Sequence, residues 1–163
     1  MTATVITLTL SEVRLAALSG TDQVLRSWHD GGTERWGDDP DTVWQRAITG
    51  RIGELAVAKH EGIHWLGVDY DRRHLGDVAD LEVRSTTRPN GCLITHEADP
   101  PERIYVLAIT QRPARRRAPL TVRLAGWMAG ADTRRPEWWR TDVQTPAWFV
   151  PQHALHPIEE LPR

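Results

Sequence analysis

Cysteine, lysine and long apolar runs are nearly absent from this 163-residue chain, and each absence excludes a class of protein. The single cysteine, Cys92, excludes an internal disulfide and any zinc site made of several cysteines. The longest apolar run, residues 104–109, is far shorter than the ~20 residues of a membrane-spanning helix. The first ten residues lack the basic region and cleavage site of a signal peptide. We therefore expect a cytoplasmic protein that has no contact with a membrane.

The scarcity of lysine and the overall charge bear on nucleic-acid binding. Lys59 is the only lysine among 20 basic residues, so arginine carries nearly all of the positive charge. The formal net charge of −2 excludes a histone-like polycation. Any nucleic-acid site must therefore concentrate positive charge locally. The sequence also has no phosphate-binding glycine loop, no Gly-X-Ser-X-Gly nucleophile motif and no histidine spacing that fits a zinc site.

The N-terminal third has the periodicity of two helices. Apolar residues recur at helical spacing over residues 13–25, with Ser11 as the expected N-cap and Gly20 as an expected interruption. A glycine-rich loop separates this helix from a second one, which starts near residue 41 and ends at Gly62. Two adjacent helices are therefore predicted over about residues 11–62.

After these helices the pattern changes from helical to extended. Short or alternating apolar runs, separated by turns rich in proline and glycine, predict strands at residues 63–68, 78–85, 93–96, 104–109 and 120–127. The C-terminal region, residues 128–163, is rich in tryptophan and proline. In it we expect short helices at residues 136–139 and 152–155 and a short strand at residues 148–150.

The length and the order of the elements predict one domain over residues 1–163. The fold class is α/β, in the sense of an α+β arrangement with a mixed sheet. The N-terminal helices are expected to lie beside a strand core over about residues 63–127, and the strands are expected to form a mostly antiparallel meander.

Acidic residues concentrate around the second predicted strand. Strand periodicity places Asp80, Glu82 and Arg84 on one face. Asp77 precedes this strand and joins that face only if the strand starts or bulges near it, so Asp80 is the alternative. Glu54 lies in an apolar stretch of the second helix, where a carboxylate needs solvent or a compensating charge.

The functional interpretation of these carboxylates is a site for a hard divalent cation. Mg²⁺ prefers oxygen ligands and often takes only one or two protein carboxylates. Asp77, Glu82 and the Val83 carbonyl would be ligands, and Glu54 would bind the ion or hold a water on it. Arg84 would stabilise charge on a scissile phosphate, because a guanidinium cannot act as a base. The structural alternative is a solvated strand whose charges pair across to neighbouring strands.

These residues also resemble a known family. A helical Gly53-Glu54, then an Asp, then Glu82-Val83-Arg84 is similar to the PD-(D/E)XK nuclease superfamily, including its mismatch-repair branch. The chain more closely resembles small proteins encoded by actinobacterial phages and their hosts, over about residues 48–157. The shared segments are residues 53–58 (Gly-Glu-Leu-Ala-Val-Ala), 76–78 (Gly-Asp-Val), 83–84, 88–94, 105–107, 126–130 and 146–152.

The resemblance implies a restriction-endonuclease-like core and a metal-dependent nuclease that hydrolyses DNA phosphodiester bonds with Mg²⁺ or Mn²⁺. It implies Glu54, Asp77 and Glu82 as metal ligands and Arg84 as a fourth catalytic residue, in the cytoplasm of a bacterium or phage-infected host. Arg84 stands where the family has lysine. The alternative is therefore a cleavage-inactive member of the same fold that binds nucleic acid or a protein. Lys59 is about 140° around the helix from Glu54 and does not fit as a relocated lysine.

Arginine clusters are the candidate DNA contacts. Arg112, Arg115, Arg116 and Arg117 crowd one predicted turn, and Arg88 follows the acidic strand. They would make sequence-independent phosphate contacts, while the alternative is a solvated hairpin loop. Arginines 134 and 135 stand near tryptophans 138 and 139, which suits either stacking on bases or packing within the protein. We expect DNA as the partner, and a homodimer is a candidate assembly.

Overall fold

The computed structural model of the protein describes residues 4–31, 40–65, 67, 77–113 and 115–162, and of residues 40 and 41 the backbone only. It contains three α-helices, namely α1 (Leu10–His29), α2 (Pro40–Glu61) and α3 (Gly130–Thr133). The strands are β1 (Thr4–Leu8), β2 (Leu81–Thr86), β3 (Leu93–Thr95), β4 (Ile104–Gln111), β5 (Leu120–Ala129), β6 (Trp139–Arg140) and β7 (Ala147–Val150). Single 3-10 turns occupy Pro136–Trp138, Gln152–Ala154 and Ile158–Glu160.

The strands form two sheets. The larger sheet has the order β1-β5-β4-β2, and the smaller has the order β3-β7-β6. In the larger sheet β2 pairs with β4 in parallel, whereas β5 pairs antiparallel with both β4 and β1. The larger sheet is therefore mixed, which confirms the predicted fold class at the level of helices packed with a mixed sheet.

The predicted meander is wrong at one pair of strands. The chain between β2 and β4 contributes β3 to the smaller sheet before it returns to the starting end of β2. A return to the same end makes the two strands parallel, and this requires a long connection rather than a hairpin. Strand β1 was also not predicted, although residues 4–8 alternate between partly buried and exposed positions as a strand does.

Helix α1 differs from its prediction in two details. Thr9 rather than Ser11 is the N-cap, and its hydroxyl and the Glu12 carboxylate form a reciprocal capping box. Gly20 does not interrupt the helix. A Cβ at Gly20 would lie 2.8 Å from the Ile48 backbone, so glycine allows α1 and α2 to approach closely.

Helix α2 ends as predicted at Gly62. This glycine has φ of +67°, and the following amide, that of Ile63, donates to the Ala58 carbonyl at 2.9 Å. The pair of residues closes the helix in the manner of a glycine C-cap. No helix among the described residues is long and apolar enough to cross a bilayer.

Strand β4 lies at the centre of the molecule, with both faces covered. Val106 and Ala108 belong to the core that α2 forms with the larger sheet. Their neighbours Tyr105, Leu107 and Ile109 belong to a second core, shared with β3 and β7 of the smaller sheet. The larger sheet therefore separates a helical layer, α2 with α1 outside it, from the smaller sheet. This arrangement determines which side each charged residue of β2 faces.

Candidate active site at the start of β2

A tight turn positions Asp77. Residues 78–81 fold back so that the backbones of Val78 and Leu81 exchange hydrogen bonds of 3.1 and 2.9 Å. Ala79, the first residue inside the turn, has φ of +51°, which is uncommon for a residue with a side chain. As a result Asp77 reaches forward past the turn, and its carboxylate accepts the Val83 N–H at 2.8 Å.

This turn separates the two candidate ligands of the sequence analysis. Asp77 is half-buried and lies beside Val83, while Asp80 is exposed at the tip of the turn. Strand periodicity had placed Asp80 with Glu82 because it assumed an unbroken strand from residue 78. Strand β2 instead begins at Leu81. The irregularity that Asp77 required is therefore present, as a turn rather than a bulge.

Helix α2 packs closely on the larger sheet at Gly53, and this contact positions Glu54. A Cβ at Gly53 would lie 2.0 Å from Ser85 Oγ and 3.1 Å from Ala108 Cβ. Glycine at this position therefore lets α2 lie directly on β2 and β4. The next residue, Glu54, is only 8% exposed. Its carboxylate accepts Arg51 Nη1 at 2.9 Å and Trp65 Nε1 at 3.3 Å.

Burial and neighbouring charge alter the acidity of Glu54. Burial raises the pKa of its carboxyl group to about 7, against the lowering effect of Arg51. The negative charge of Asp77 contributes to this rise. Glu54 and Asp77 therefore interact electrostatically, although they come from a helix and a turn that are far apart in sequence.

Glu82 is the second carboxylate that interacts with Asp77. Burial raises its pKa, as does the Asp77 carboxylate, whereas Arg84 and Arg103 lower it. The Glu82 carboxylate lies 3.7 Å from Arg84 Nη1. The Asp77 carboxylate therefore raises the pKa of both Glu54 and Glu82.

The two glutamates nevertheless project from opposite sides of the larger sheet. Leu81 and Val83 of β2 pack into the core beneath α2, on the side from which Glu54 approaches. Glu82 alternates with them and therefore faces the smaller sheet. Asp77 lies next to the strand between these sides, at the Val83 amide. The described residues contain no group of three or more His, Cys, Asp or Glu side chains arranged to hold a metal ion.

Arg84 is anchored by contacts within the protein. Its Nη2 donates to the Asp99 carboxylate at 2.9 Å and its Nε donates to the Ile94 carbonyl at 3.3 Å. The guanidinium also stacks over the Tyr105 ring, 5.0 Å from the centroid. Burial alone would lower the pKa of Arg84, but the Asp99 carboxylate and its hydrogen bond raise it. Arg84 is a permanent cation beside Glu82, with much of its donor edge already engaged.

Lys59 lies away from the acidic residues, next to β1 and the start of α1. Its Nζ donates to the Thr7 carbonyl at 3.1 Å and forms an ion pair of 2.8 Å with Glu12. These contacts tie the end of α2 to β1 and to the start of α1. The prediction that Lys59 points away from Glu54 agrees with this placement.

The predicted DNA-contacting arginines are exposed at the far end of β2 and β4. Because these strands are parallel, Arg88, just after β2, and Arg112, just after β4, emerge at the same end of the sheet. Arginines 115, 116 and 117 continue the loop between β4 and β5, and all three are exposed. From Glu82 to the end of β2 at Thr86 is four residues, or ~13 Å along the strand.

Side chains of Arg123 and Gln152 donate hydrogen bonds to the turn that follows Arg88. The Gln152 side chain donates to the Pro89 and Gly91 carbonyls at 2.9 and 2.8 Å. Arg123 donates to the same Pro89 carbonyl at 3.0 Å and to the Gln152 side chain at 2.9 Å. Arg88 itself remains exposed on this fixed support.

The tryptophans of the C-terminal region are covered by arginine. Arg134 lies over the Trp148 ring at 5.3 Å, and Arg135 lies over the Trp138 ring at 4.9 Å. Trp148 also contacts Trp139, with ring centroids 4.5 Å apart. This is the geometry of tryptophan packing beneath arginine, the second of the two interpretations offered for these residues.

Sequence analysis did not identify three partners of the candidate residues. Arg51 stands three residues before Glu54, a spacing at which helical side chains meet, so this ion pair was open to prediction. Trp65 and Asp99 contact Glu54 and Arg84 across the fold. No local pattern signals those two contacts.

We compared the chain with protein-family models, curated proteins and solved structures, and none of the three comparisons gave a significant match.

Proposed function

We propose that the protein is a metal-dependent nuclease that hydrolyses DNA phosphodiester bonds at the start of β2. The observation that supports this proposal best is the turn over residues 78–81, which folds Asp77 back onto the Val83 amide. Through this turn Asp77 acts on both Glu54 and Glu82, raising the pKa of each. Partly buried carboxylates that raise one another's pKa are typical of functional sites.

The donors at this site suit a hard cation. Asp77 and Glu82 would bind Mg²⁺ or Mn²⁺ together with the Val83 carbonyl, and Glu54 would act from the α2 side. This set contains two carboxylates, which is the number Mg²⁺ commonly takes from a protein. A divalent ion supplies positive charge that activates the nucleophile and neutralises the phosphate. It would also relieve the repulsion that Asp77 exerts on Glu54 and Glu82, which raises the pKa of both glutamates.

The exposed arginines would hold the DNA. DNA lying along β2 would contact the acidic site at one end of this strand and Arg88 and Arg112 at the other end. The ~13 Å between Glu82 and the end of β2 corresponds to about four base-pair steps along the axis of a DNA duplex. The contacts would be to phosphates, so binding would be insensitive to base sequence and weakened by salt.

The decisive experiment measures cleavage of plasmid and single-stranded DNA in Mg²⁺ and in Mn²⁺. Asp77→Asn should lower the cleavage rate by about a hundredfold or more, because a metal ligand matters at least as much as its outer neighbours. Asp80→Asn is the matched control: the same chemical change three residues away, on an exposed side chain, should leave the rate unchanged. If the wild type cleaves DNA no faster than Asp77→Asn under all conditions, the proposed nuclease activity is refuted.

Metal binding can be measured independently of cleavage. Calorimetric titration with Mn²⁺ should show one binding event in the wild type and in Asp80→Asn. Asp77→Asn and Glu82→Gln should each weaken it by at least about tenfold. Equal affinity of all four proteins would show that the ion does not bind at these carboxylates.

A second candidate function is a cleavage-inactive member of the same fold that binds nucleic acid or a protein. The engaged state of Arg84 favours it, because Asp99 and the Ile94 carbonyl occupy donors that a scissile phosphate would need. Glu54 is likewise paired with Arg51. This function predicts DNA affinity without cleavage, whereas a pure protein-interaction module predicts no DNA affinity at any salt concentration.

A further inference from the structure

The guanidinium of Arg84 is held by two of its three nitrogens. Nε donates to the Ile94 carbonyl at 3.3 Å, and Nη2 donates to the Asp99 carboxylate at 2.9 Å. Nη1 donates no hydrogen bond within the described part of the chain and lies 3.7 Å from the Glu82 carboxylate. The Arg84 side chain is 28% exposed, and Nη1 is not a fully buried atom. Nη1 is therefore the part of the guanidinium that a ligand beside Glu82 can reach.

The Asp99 carboxylate is itself fixed by the turn in which it lies. The oxygen that accepts Arg84 Nη2 also accepts the His96 amide at 2.9 Å. The Asp99 amide donates back to the His96 carbonyl at 3.0 Å, and the Asp99 carbonyl accepts Arg134 Nη2 at 2.8 Å. Asp99 is therefore a rigid anchor for Arg84 rather than a mobile counter-ion.

The ring of Tyr105 supports the guanidinium of Arg84 on one face. Its centroid lies 5.0 Å from Arg84 Cζ, and its hydroxyl donates to the Pro100 carbonyl, next to Asp99, at 3.0 Å. A planar group with two nitrogens bound and one face stacked has little freedom to rotate. A lysine ammonium, a single point charge on a flexible stem, could not make these contacts together. The surroundings of position 84 therefore suit arginine.

We propose that Asp99 is a positioning residue that holds Arg84 so that Nη1 faces a phosphate bound beside Glu82. The inference rests on the proposed nuclease function, since it takes the scissile phosphate to bind at Glu82. Asp99 does not contact the DNA and acts only through Arg84. A charged donor that is oriented before the substrate binds stabilises developing negative charge without reorganisation. The contacts that engage Nε and Nη2 are then the means by which Nη1 is oriented.

Steady-state DNA cleavage by the full chain tests this role. Asp99→Ala should lower kcat by about 10- to 100-fold and change KM less than about threefold, because lost orientation affects the reacting geometry more than binding. The double variant with Arg84→Ala should be no slower than Arg84→Ala alone, since Asp99 acts through Arg84. Asp142→Ala is the matched control and should keep the wild-type kcat, because Asp142 also pairs with an arginine, Arg140, but on the exposed surface.

Guanidinium ion added to Arg84→Ala tests whether Asp99 orients the group. At millimolar concentration, far below denaturing levels, the ion should raise the cleavage rate by at least about tenfold, because Asp99 and the Ile94 carbonyl can bind it. Ammonium at the same concentration should not, because it lacks the planar set of donors. The variant that also carries Asp99→Ala should show no rescue. Asp99→Asn, whose amide oxygen can still accept the His96 amide, replaces Asp99→Ala if that variant does not fold, and should weaken the rescue.

Calorimetric titration with Mn²⁺ separates this role from a structural one. Arg84→Ala should bind Mn²⁺ at least as tightly as the wild type, because it removes a positive charge beside Glu82. Weaker Mn²⁺ binding would mean that Arg84 supports the metal site itself, and it would overturn the inference. Rescue that is independent of Asp99, or equal kcat for Asp99→Ala and Asp142→Ala in a protein whose wild type cleaves DNA, overturns the inference alone. A wild type that does not cleave DNA overturns the nuclease proposal and the inference with it.

Discussion

The turn after Asp77 and the loop after β4 each contain a non-glycine residue with positive φ, Ala79 at 51° and Arg117 at 65°. Each also concentrates charge of one sign. In the first, acids are partly shielded from water, and Asp77 raises the pKa of Glu54 and Glu82. In the second, the arginines are exposed, so water and salt screen their repulsion. Like charges repel one another more strongly where solvent is excluded, and this is the physical basis of the cation binding that we propose at the acidic turn.

The acidic region around Asp77 and the arginine loop after β4 should differ most in how far they make the unfolding free energy depend on pH. The pKa of Glu54 in the folded protein, about 7, is above its usual 4.5, so the folded state holds this proton more tightly. The stability it contributes is complete below pH 4.5 and is lost as the pH rises to 7, by about 3 kcal/mol.

Urea unfolding of the wild type and of Glu54→Gln between pH 4.5 and 8 measures this contribution. As the pH rises from 4.5 to 8, the unfolding free energy of the wild type should fall relative to that of Glu54→Gln, which has no carboxyl group to titrate at this position. Arg116→Gln, a change in the exposed loop, should keep the pH profile of the wild type. Parallel profiles for all three proteins would mean that Glu54 titrates normally.

The acidic region should also be much less tolerant of added volume than its surroundings. Gly53→Ala places a methyl group against Ser85 and Ala108 and should destabilise the protein by about 1–3 kcal/mol. Gly50→Ala, one turn earlier in α2, meets nothing within 4 Å and should stabilise it by up to about 1 kcal/mol. Thermal unfolding of the two variants measures the contrast. Equal effects would show that helix and sheet are not in tight contact at Gly53.

In the arginine loop we expect a small effect on binding and almost none on stability. Each of Arg115→Gln, Arg116→Gln and Arg117→Gln should lower DNA affinity a few-fold. Each should also reduce the slope of log K against log salt by about 0.9 if that residue contacts a phosphate. Fluorescence anisotropy with a labelled oligonucleotide at several salt concentrations measures both. An unchanged slope in all three variants would identify the loop as a solvated hairpin.

The smallest expected effect concerns the two positive φ angles. Ala79→Gly and Arg117→Gly should each stabilise the protein by less than about 1 kcal/mol, because glycine adopts this conformation without strain but loses more entropy on folding. Denaturant unfolding detects the change, and Ala118→Gly, at a residue that does not have positive φ, should be neutral or destabilising. Destabilisation by Ala79→Gly would indicate that its methyl group supports the Asp77 turn.

Several strands and helices were predictable, since their signals are local, but β1 was missed, and residues 63–65 and 67 of the strand expected over residues 63–68 are not in a strand. The apolar run of β4, the alternation in β5 and the glycine after α2 gave the correct elements within a few residues. The parallel pairing of β2 with β4 was not predictable, because it depends on β3 leaving for a second sheet. No periodicity within either strand records that event.

For the candidate site, the sequence identified the carboxylates but not their arrangement. Strand periodicity favoured Asp80 as the neighbour of Glu82, whereas the Ala79 turn brings in Asp77. A positive φ at alanine has no signature in the sequence, because glycine or asparagine is the usual residue there. Likewise, the contact of Arg84 with Asp99 depends on the path of the chain between β3 and β4.

The pairing of β1 with β5 has a consequence for the protein during its synthesis. Thr4 of β1 pairs with Leu124 of β5, so the ribosome must add about 120 further residues before the two can meet. At 5–20 residues per second, β1 waits roughly 6–24 s with its hydrogen-bonding groups unsatisfied by the sheet. The α1–α2 hairpin is complete well before then. Nascent chains should therefore carry a folded helical pair and an unpaired N-terminal strand, and this strand is where misassembly between neighbouring ribosomes would begin.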